Sequence, residues 1–158
     1  LDGIQESRHK DSSLEYQGIF LRQFNKEGFL HYRIKADILR EDLYNMWQFI
    51  EPRVDIILSG KGSGMWRVSS KEAFVDAEKI HFLDSVNLQD RKACPISIFS
   101  EDFLYQIKSS IFKVNGAVSY LHARQKIQAS EATGSLISGK INLTNGVSSY
   151  NSQGQDCK

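Results

Sequence analysis

The sequence predicts an all-β, antiparallel fold, and three observations carry that expectation. Apolar and polar residues alternate with period two through most of the chain, the signature of half-buried strands. Clusters of turn-forming residues punctuate the alternating runs. The gaps between runs are too short for parallel crossovers, which need about a dozen residues or more. Together they predict an antiparallel meander of many short strands, a sandwich or jelly roll.

The first strand is expected over Tyr16 to Phe24, closed by the turn Asn25-Lys26-Glu27-Gly28. Leu30, Tyr32, Ile34, Ala36 and Ile38 then alternate with His31, Arg33, Lys35 and Asp37. A helix would wrap those charges around its apolar side. Pro52 cannot donate to a ladder, so it belongs at a strand start or an edge. Val54, Ile56 and Leu58 continue the pattern up to Ser59-Gly60-Lys61-Gly62-Ser63-Gly64, a glycine-rich turn. Trp66, Val68 and Ser70 follow, then Ile80, Phe82, Val86 and Leu88 after the turn Asp76-Ala77-Glu78-Lys79. Val118 and Tyr120 make a short run. Ile137, Gly139, Ile141 and Leu143 alternate with Ser138, Lys140 and Asn142. Asn115-Gly116 and Asn145-Gly146 have the composition of hairpin turns. Glu41 to Gln48 reads as a helical turn and Arg124 to Thr133 as an irregular loop. The tail from Asn151 is polar and expected to fray.

A chain of 158 residues fits one domain. Hydrophobic residues at 41% and charged residues at 25% give a globular balance. The net charge is +1 and no basic block stands out, so nucleic acid is not an expected partner. No run of about 18 apolar residues exists to span a membrane as a helix. The two cysteines, Cys94 and Cys157, are too few for a disulfide framework or a structural zinc site. They are expected as unpaired thiols, with a single bridge as the alternative in an oxidising compartment.

Chemistry is hard to find. His9 lies in a polar segment. His31 and His81 fall on the charged parity of their strands and read as solvated. His122 shares the parity of Val118 and Tyr120 and is expected to be partly buried. Neither cysteine has a histidine at nucleophile spacing. Gly60-Lys61-Gly62-Ser63-Gly64 lacks the order of a phosphate-binding loop and no helix follows it. Glu101-Asp102 reads as a solvated pair at a strand end, its side chains diverging. No catalytic residue, cofactor or metal is predicted.

The middle of the chain carries a series of segments whose order is similar to that of one known family. Phe49-Ile50-Glu51-Pro52-Arg53-Val54 is similar to a family segment in which an aromatic precedes a proline-led strand. Trp66-Arg67-Val68-Ser69-Ser70-Lys71-Glu72-Ala73 resembles its Trp-x-Val/Ile-x-Ala/Ser-x-x-Ala segment. Tyr32-Arg33-Ile34-Lys35-Ala36 resembles the Tyr-Arg-apolar-x-Ala strand, and Ile80 to Leu88 a later apolar strand. Glu101-Asp102-Phe103 and Leu121-His122-Ala123 continue the order. The series resembles the LptC family of periplasmic lipopolysaccharide-transport proteins, and the resemblance spans roughly Leu14 to Tyr150. The family often has glycine where Asp84 and Ala123 stand, positions that mark a bulge or a close backbone approach.

The resemblance implies a V-shaped, open β jelly roll over 14–150. It implies a flexible segment over 1–13 that follows a single inner-membrane helix preceding this chain, and a polar tail over 151–158. It implies a periplasmic protein, anchored to the inner membrane, that receives lipopolysaccharide from the ABC transporter complex of LptB, LptF and LptG and passes it to LptA. The first strand would meet the transporter and the last strand, Gly139 to Tyr150, would meet LptA, both by strand addition at exposed edges. Phe49 occupies the family's inward aromatic position and is the leading ligand contact. Ile19 and Tyr150 carry over near the two ends of the groove. Tyr32, Ile34, Phe82 and Val86 join them as inward-facing candidates from parity, groove wall or sealed core. The rival readings are a soluble LptA-like bridge of the same fold, a lipid-free β-sandwich adaptor or adhesive module, and an enzyme using His31, His81 or His122.

Overall fold

A computed structural model describes residues 14–41, 45–58 and 64–157. Those residues form twelve antiparallel strands and no helix. They are β1 (Leu14–Phe24), β2 (Leu30–Glu41), β3 (Trp47–Ile50), β4 (Arg53–Leu58), β5 (Gly64–Ser69) and β6 (Glu72–Val75). Then follow β7 (Lys79–Asp90), β8 (Ile96–Gln106), β9 (Ile111–His122), β10 (Gln125–Ser135), β11 (Ile141–Thr144) and β12 (Val147–Tyr150). The fold is the expected V-shaped, open jelly roll.

The register explains the V. β3 and β4 both pair with β2 in one continuous register, Ile38 opposite Ile50 and Lys35 opposite Arg53. β11 and β12 pair with β10 in the same manner, Glu131 opposite Thr144 and Gln128 opposite Val147. β5 and β6 likewise run along β4 and β3. Three pairs of short strands are therefore three interrupted passes, and the twelve strands make nine passes of a simple meander.

Apart from an irregularity at Gln23/Phe24 beside the β1–β2 turn, the interruptions fall on one line across the sheet. Along it lie Gly18, Glu51-Pro52, Ser70-Lys71, Asp84-Ser85, Glu101, Gly116, Ser130 and Asn145-Gly146. Bulges bend a strand and raise its local twist, so a column of them is a crease. The crease folds the sheet into two leaves. Many of its residues reach the left-handed region, and Pro52 lacks an amide hydrogen. Gly18, Glu51, Asp84, Ser85, Gly116 and Asn145 all have positive φ. A non-glycine residue there costs about 1–3 kcal/mol, and local bonds offset it. The Ser85 amide donates to Glu101 Oε2 at 2.9 Å, and the Lys71 amide donates to the Asp84 carbonyl at 2.9 Å.

The crease also inverts which parity points inward. In β2, Tyr32, Ile34 and Ala36 are buried, but past Asp37 the buried residue is Leu39 and not Ile38. Inward residues from both leaves join one core. At its centre the Phe103 ring stacks on Phe112 at 5.1 Å and meets Phe82 edge-on at 5.8 Å. Fully burying each such side chain stabilises the fold by about 1.5–3 kcal/mol.

Several local expectations are corrected. Asn115-Gly116 and Asn145-Gly146 reverse nothing: the first lies inside β9 and the second joins β11 to β12 along one edge. Their left-handed residues serve the crease. The segment expected as a loop over Arg124 to Thr133 is mostly β10, paired on both sides. Ile137 and Gly139 lie in the β10–β11 turn, where Gly139 has a φ of 72°, so the last pass starts at Ile141. Glu101-Asp102 is in the middle of β8. Trp47 and Gln48 begin β3; the rest of the helical turn expected there falls partly on 42–44, outside the described residues. Most of the glycine-rich turn over 59–63, and His9, also lie outside them.

The cysteines are joined. Cys94, in the β7–β8 turn, and Cys157 form a disulfide with Cα atoms 5.8 Å apart. The tail is accordingly fastened as a strap across the strand ends. The Asn151 amide donates to the Arg124 carbonyl at 2.7 Å, and Arg124 Nε donates to Asp156 Oδ1 at 2.6 Å. Gly154 lies so close to the Ala123 carbonyl that a Cβ there would collide with it. Ala123 itself has a φ of 54°.

Candidate functional site

β1 is the first pass of the meander and, among the described residues, pairs only with β2. Beneath it the two leaves separate. The space between them is a cavity of about 1010 Å³, at the upper end of the range of small-ligand sites, about 300–1,000 Å³. One leaf contributes Ile19 and Leu21 from β1 and Tyr32 and Ile34 from β2. The other contributes Tyr16, Leu39, Trp47, Phe49 and Val75, and Ile107 in the β8–β9 turn closes the floor. These positions face each other because the crease inverts parity between Ala36 and Leu39. The wall is mostly apolar, with Arg22, His31, Asn45 and Asp76 among its polar members.

The candidates from sequence divide cleanly. Phe49, Ile19, Tyr32 and Ile34 come together on this cavity. Phe49 is 2% exposed, held between Leu39 of β2 and Ala73 of β6. Phe82 and Val86 do not reach the cavity; they are sealed in the core among Phe103 and its neighbours. Tyr150 lies at the other sheet edge, 72% exposed on β12, with the Arg124 guanidinium 5.8 Å from its ring centre. Leu39, Trp47 and Ile107 were missed. Trp47 and Phe49 carry a two-residue alternation that a helical reading of Glu41 to Gln48 hid.

The cavity holds little electrostatic drive. Burial pushes the His31 imidazole down from its usual value, so it is neutral at pH 7, and burial pushes the Tyr32 phenol up. Neither group has a nucleophile beside it among the bonds of the described residues. The strongest buried ion cluster is elsewhere, on the outer face. There Asp55 of β4 accepts from Arg33 Nε at 2.8 Å and from Arg67 Nε at 2.7 Å. Burial pushes this carboxyl up, but the hydrogen bonds and charges of Arg67 and Arg33 outweigh it and hold it below the usual range.

The histidines do not converge. His31 lines the cavity, His81 Nε2 lies 2.8 Å from Asp102 Oδ1, and His122 Nε2 lies 3.5 Å from Cys94 Sγ. The one group of three potential metal ligands among the described residues is Cys94, His122 and Cys157. With the two sulfurs bonded to each other they are not thiolates, the form a metal requires.

Among the described residues, both edges of the meander present backbone with no strand beside it. β1 is one, and β11 with β12 is the other. Among the described residues no helix is long and apolar enough to cross a membrane.

The family model for lipopolysaccharide-assembly, LptC-related proteins matches residues 3–152. No curated protein matches the chain.

Proposed function

This chain belongs to the LptC-related family of lipopolysaccharide-assembly proteins, and on that premise we propose that it is the periplasmic relay of the transport system. It takes lipopolysaccharide from the inner-membrane complex of LptB, LptF and LptG at the β1 edge. It passes the lipid to LptA at the β11–β12 edge. It does so without covalent chemistry, the work being supplied by ATP hydrolysed in the transporter.

The observation that carries this reading is the apolar cavity directly beneath an open edge strand. Acyl chains entering it would leave water at about 25 cal/mol per Å² of apolar surface removed. Phe49, Ile19, Tyr32 and Ile34 would contact them. The sugars and phosphates would stay at the mouth, near Arg22. Strand addition at either edge would join backbone to backbone and give each contact a direction. The Cys94–Cys157 bridge supports an oxidising compartment such as the periplasm.

The test is binding of fluorescent lipopolysaccharide to wild type and to Ile19→Asp. Phe49→Asp would put a carboxylate at a tightly packed part of the cavity wall and threaten the fold. Ile19 is half-buried on the cavity wall, so its replacement leaves the core intact. Saturable binding by wild type and a loss of at least ten-fold in the variant are expected. Folded wild-type protein that binds no lipopolysaccharide would move the chain to a lipid-free adaptor.

A further inference from the structure

The β1–β2 hairpin carries a feature that extends beyond the cavity and the strand edge. From Tyr16 to Ala36 it contains four cations, Arg22, Lys26, Arg33 and Lys35, against one carboxylate, Glu27. The far end of the hairpin carries Glu15, Asp37 and Glu41 against Arg40, so positive charge is gathered in the half nearer the turn. Of the four, Arg33 is paired with Asp55. Arg22, Lys26 and Lys35 make no ion pair among the described residues. Arg53 stands directly opposite Lys35 in register, and it too is unpaired among them.

The same hairpin exposes large apolar side chains. Phe24 is 51% exposed and Phe29 is 60% exposed, on either side of the turn. The turn is rigid. Asn25 Oδ1 accepts from the Glu27 and Phe29 amides, and the Asn25 amide donates to the Phe29 carbonyl at 2.8 Å. Phe20 continues the patch, with the Arg22 guanidinium 5.1 Å and the Lys35 ammonium 5.7 Å from its ring centre. An incoming edge strand would satisfy the backbone of β1 and leave the tip phenylalanines uncovered. Exposed aromatics ringed by unpaired cations match the interface of an anionic bilayer, where rings sit at the acyl boundary and cations meet headgroup phosphates.

We propose that the β1–β2 hairpin is a membrane-docking tip that lays Phe24 and Phe29 into the interface of an anionic phospholipid bilayer, with Arg22, Lys26 and Lys35 on the headgroup phosphates. The occupant is the lipid surface itself, recognised by charge and exposed apolar area together. Docking would turn the cavity mouth, lined by the same strand, towards the bilayer.

The test is co-sedimentation of the whole chain with vesicles of phosphatidylglycerol mixed with phosphatidylcholine, and with phosphatidylcholine alone. The chain is expected to sediment with the anionic vesicles and to be released by salt. Lys26→Gln and Lys35→Gln should each weaken binding about five-fold, the worth of one cation at such a surface. Phe24→Ser with Phe29→Ser should weaken it further, with circular dichroism unchanged because both residues are exposed. Equal partition to both vesicle types, no partition to either, or binding indifferent to the phenylalanine pair would overturn the proposal. Lipopolysaccharide binding in detergent should survive Lys26→Gln and Lys35→Gln, which do not line the cavity, so failure here is separable from failure of the relay reading.

Discussion

Removing the disulfide is the perturbation whose size follows most directly from the fold. Cys94 and Cys157 are 63 residues apart, and the closed loop contains β8 to β12. In the chain-entropy picture the bridge acts on the unfolded ensemble, and a loop of that length corresponds to about 4 kcal/mol. The native side changes less. Without the bond, the strap still has the Asn151 and Asp156 contacts to Arg124, and the core above it is intact. For a domain of this size each kcal/mol moves Tm by about 2–4 °C, so Cys94→Ser with Cys157→Ser should melt about 8–16 °C below wild type. The assay is thermal unfolding by circular dichroism, with thiol titration of the denatured wild type as control. Reductant should lower the wild-type Tm to that of the double variant. A Tm within 2 °C of wild type, or free thiols in the wild-type protein, would refute the reasoning.

Further predictions concern single residues. Gly154→Ala should displace the strap from the Ala123 carbonyl, read as faster amide exchange over 151–157 with little change in Tm. Ala123→Gly should raise stability by about 0.5–1 kcal/mol in chemical denaturation, because alanine at a φ of 54° is strained by about 1–2 kcal/mol and glycine is not. Asp55 contributes stability that is present above its unfolded pKa and lost as pH falls through its lower folded pKa. Asp55→Asn should therefore destabilise at pH 7 and flatten the fall in stability below about pH 4, checked by urea unfolding against pH. Leu143→Pro should disrupt β11, which pairs only with β10, and reduce LptA binding in a pull-down while lipopolysaccharide binding persists.

Much of the fold was legible because alternation is a local signal. Runs such as Val54, Ile56 and Leu58 sit where a pleat puts them, and Asn25 to Gly28 and Asp76 to Lys79 are true turns. The crease was not legible, since it exists only when all passes are aligned. Its residues have the same chemistry as hairpin turns, which is why Asn115-Gly116 and Asn145-Gly146 misled. Glycine, asparagine and aspartate report a demand for positive φ, and that demand is common to reversals and bends. β10 was missed because small and polar residues such as Ala129, Ser130 and Ala132 fill it, leaving no apolar stripe. Half the site was visible in Phe49, Ile19, Tyr32 and Ile34. Parity could not separate them from Phe82 and Val86, because groove wall and sealed core both point inward and differ only in what lies opposite. The disulfide depended on a tail folding back across four strand ends, which spacing alone does not encode.

The central claim is that lipid enters between the leaves beneath β1. The direct measurement is a photo-crosslinking scan with lipopolysaccharide, placing the reactive residue in turn at positions 19, 32, 34 and 49, at 82 and 86, and at 150. The account predicts crosslinks at 19, 32, 34 and 49 that unlabelled lipopolysaccharide competes away, and none at 82 or 86. Crosslinks confined to 150, or equal at cavity and core positions, would contradict it.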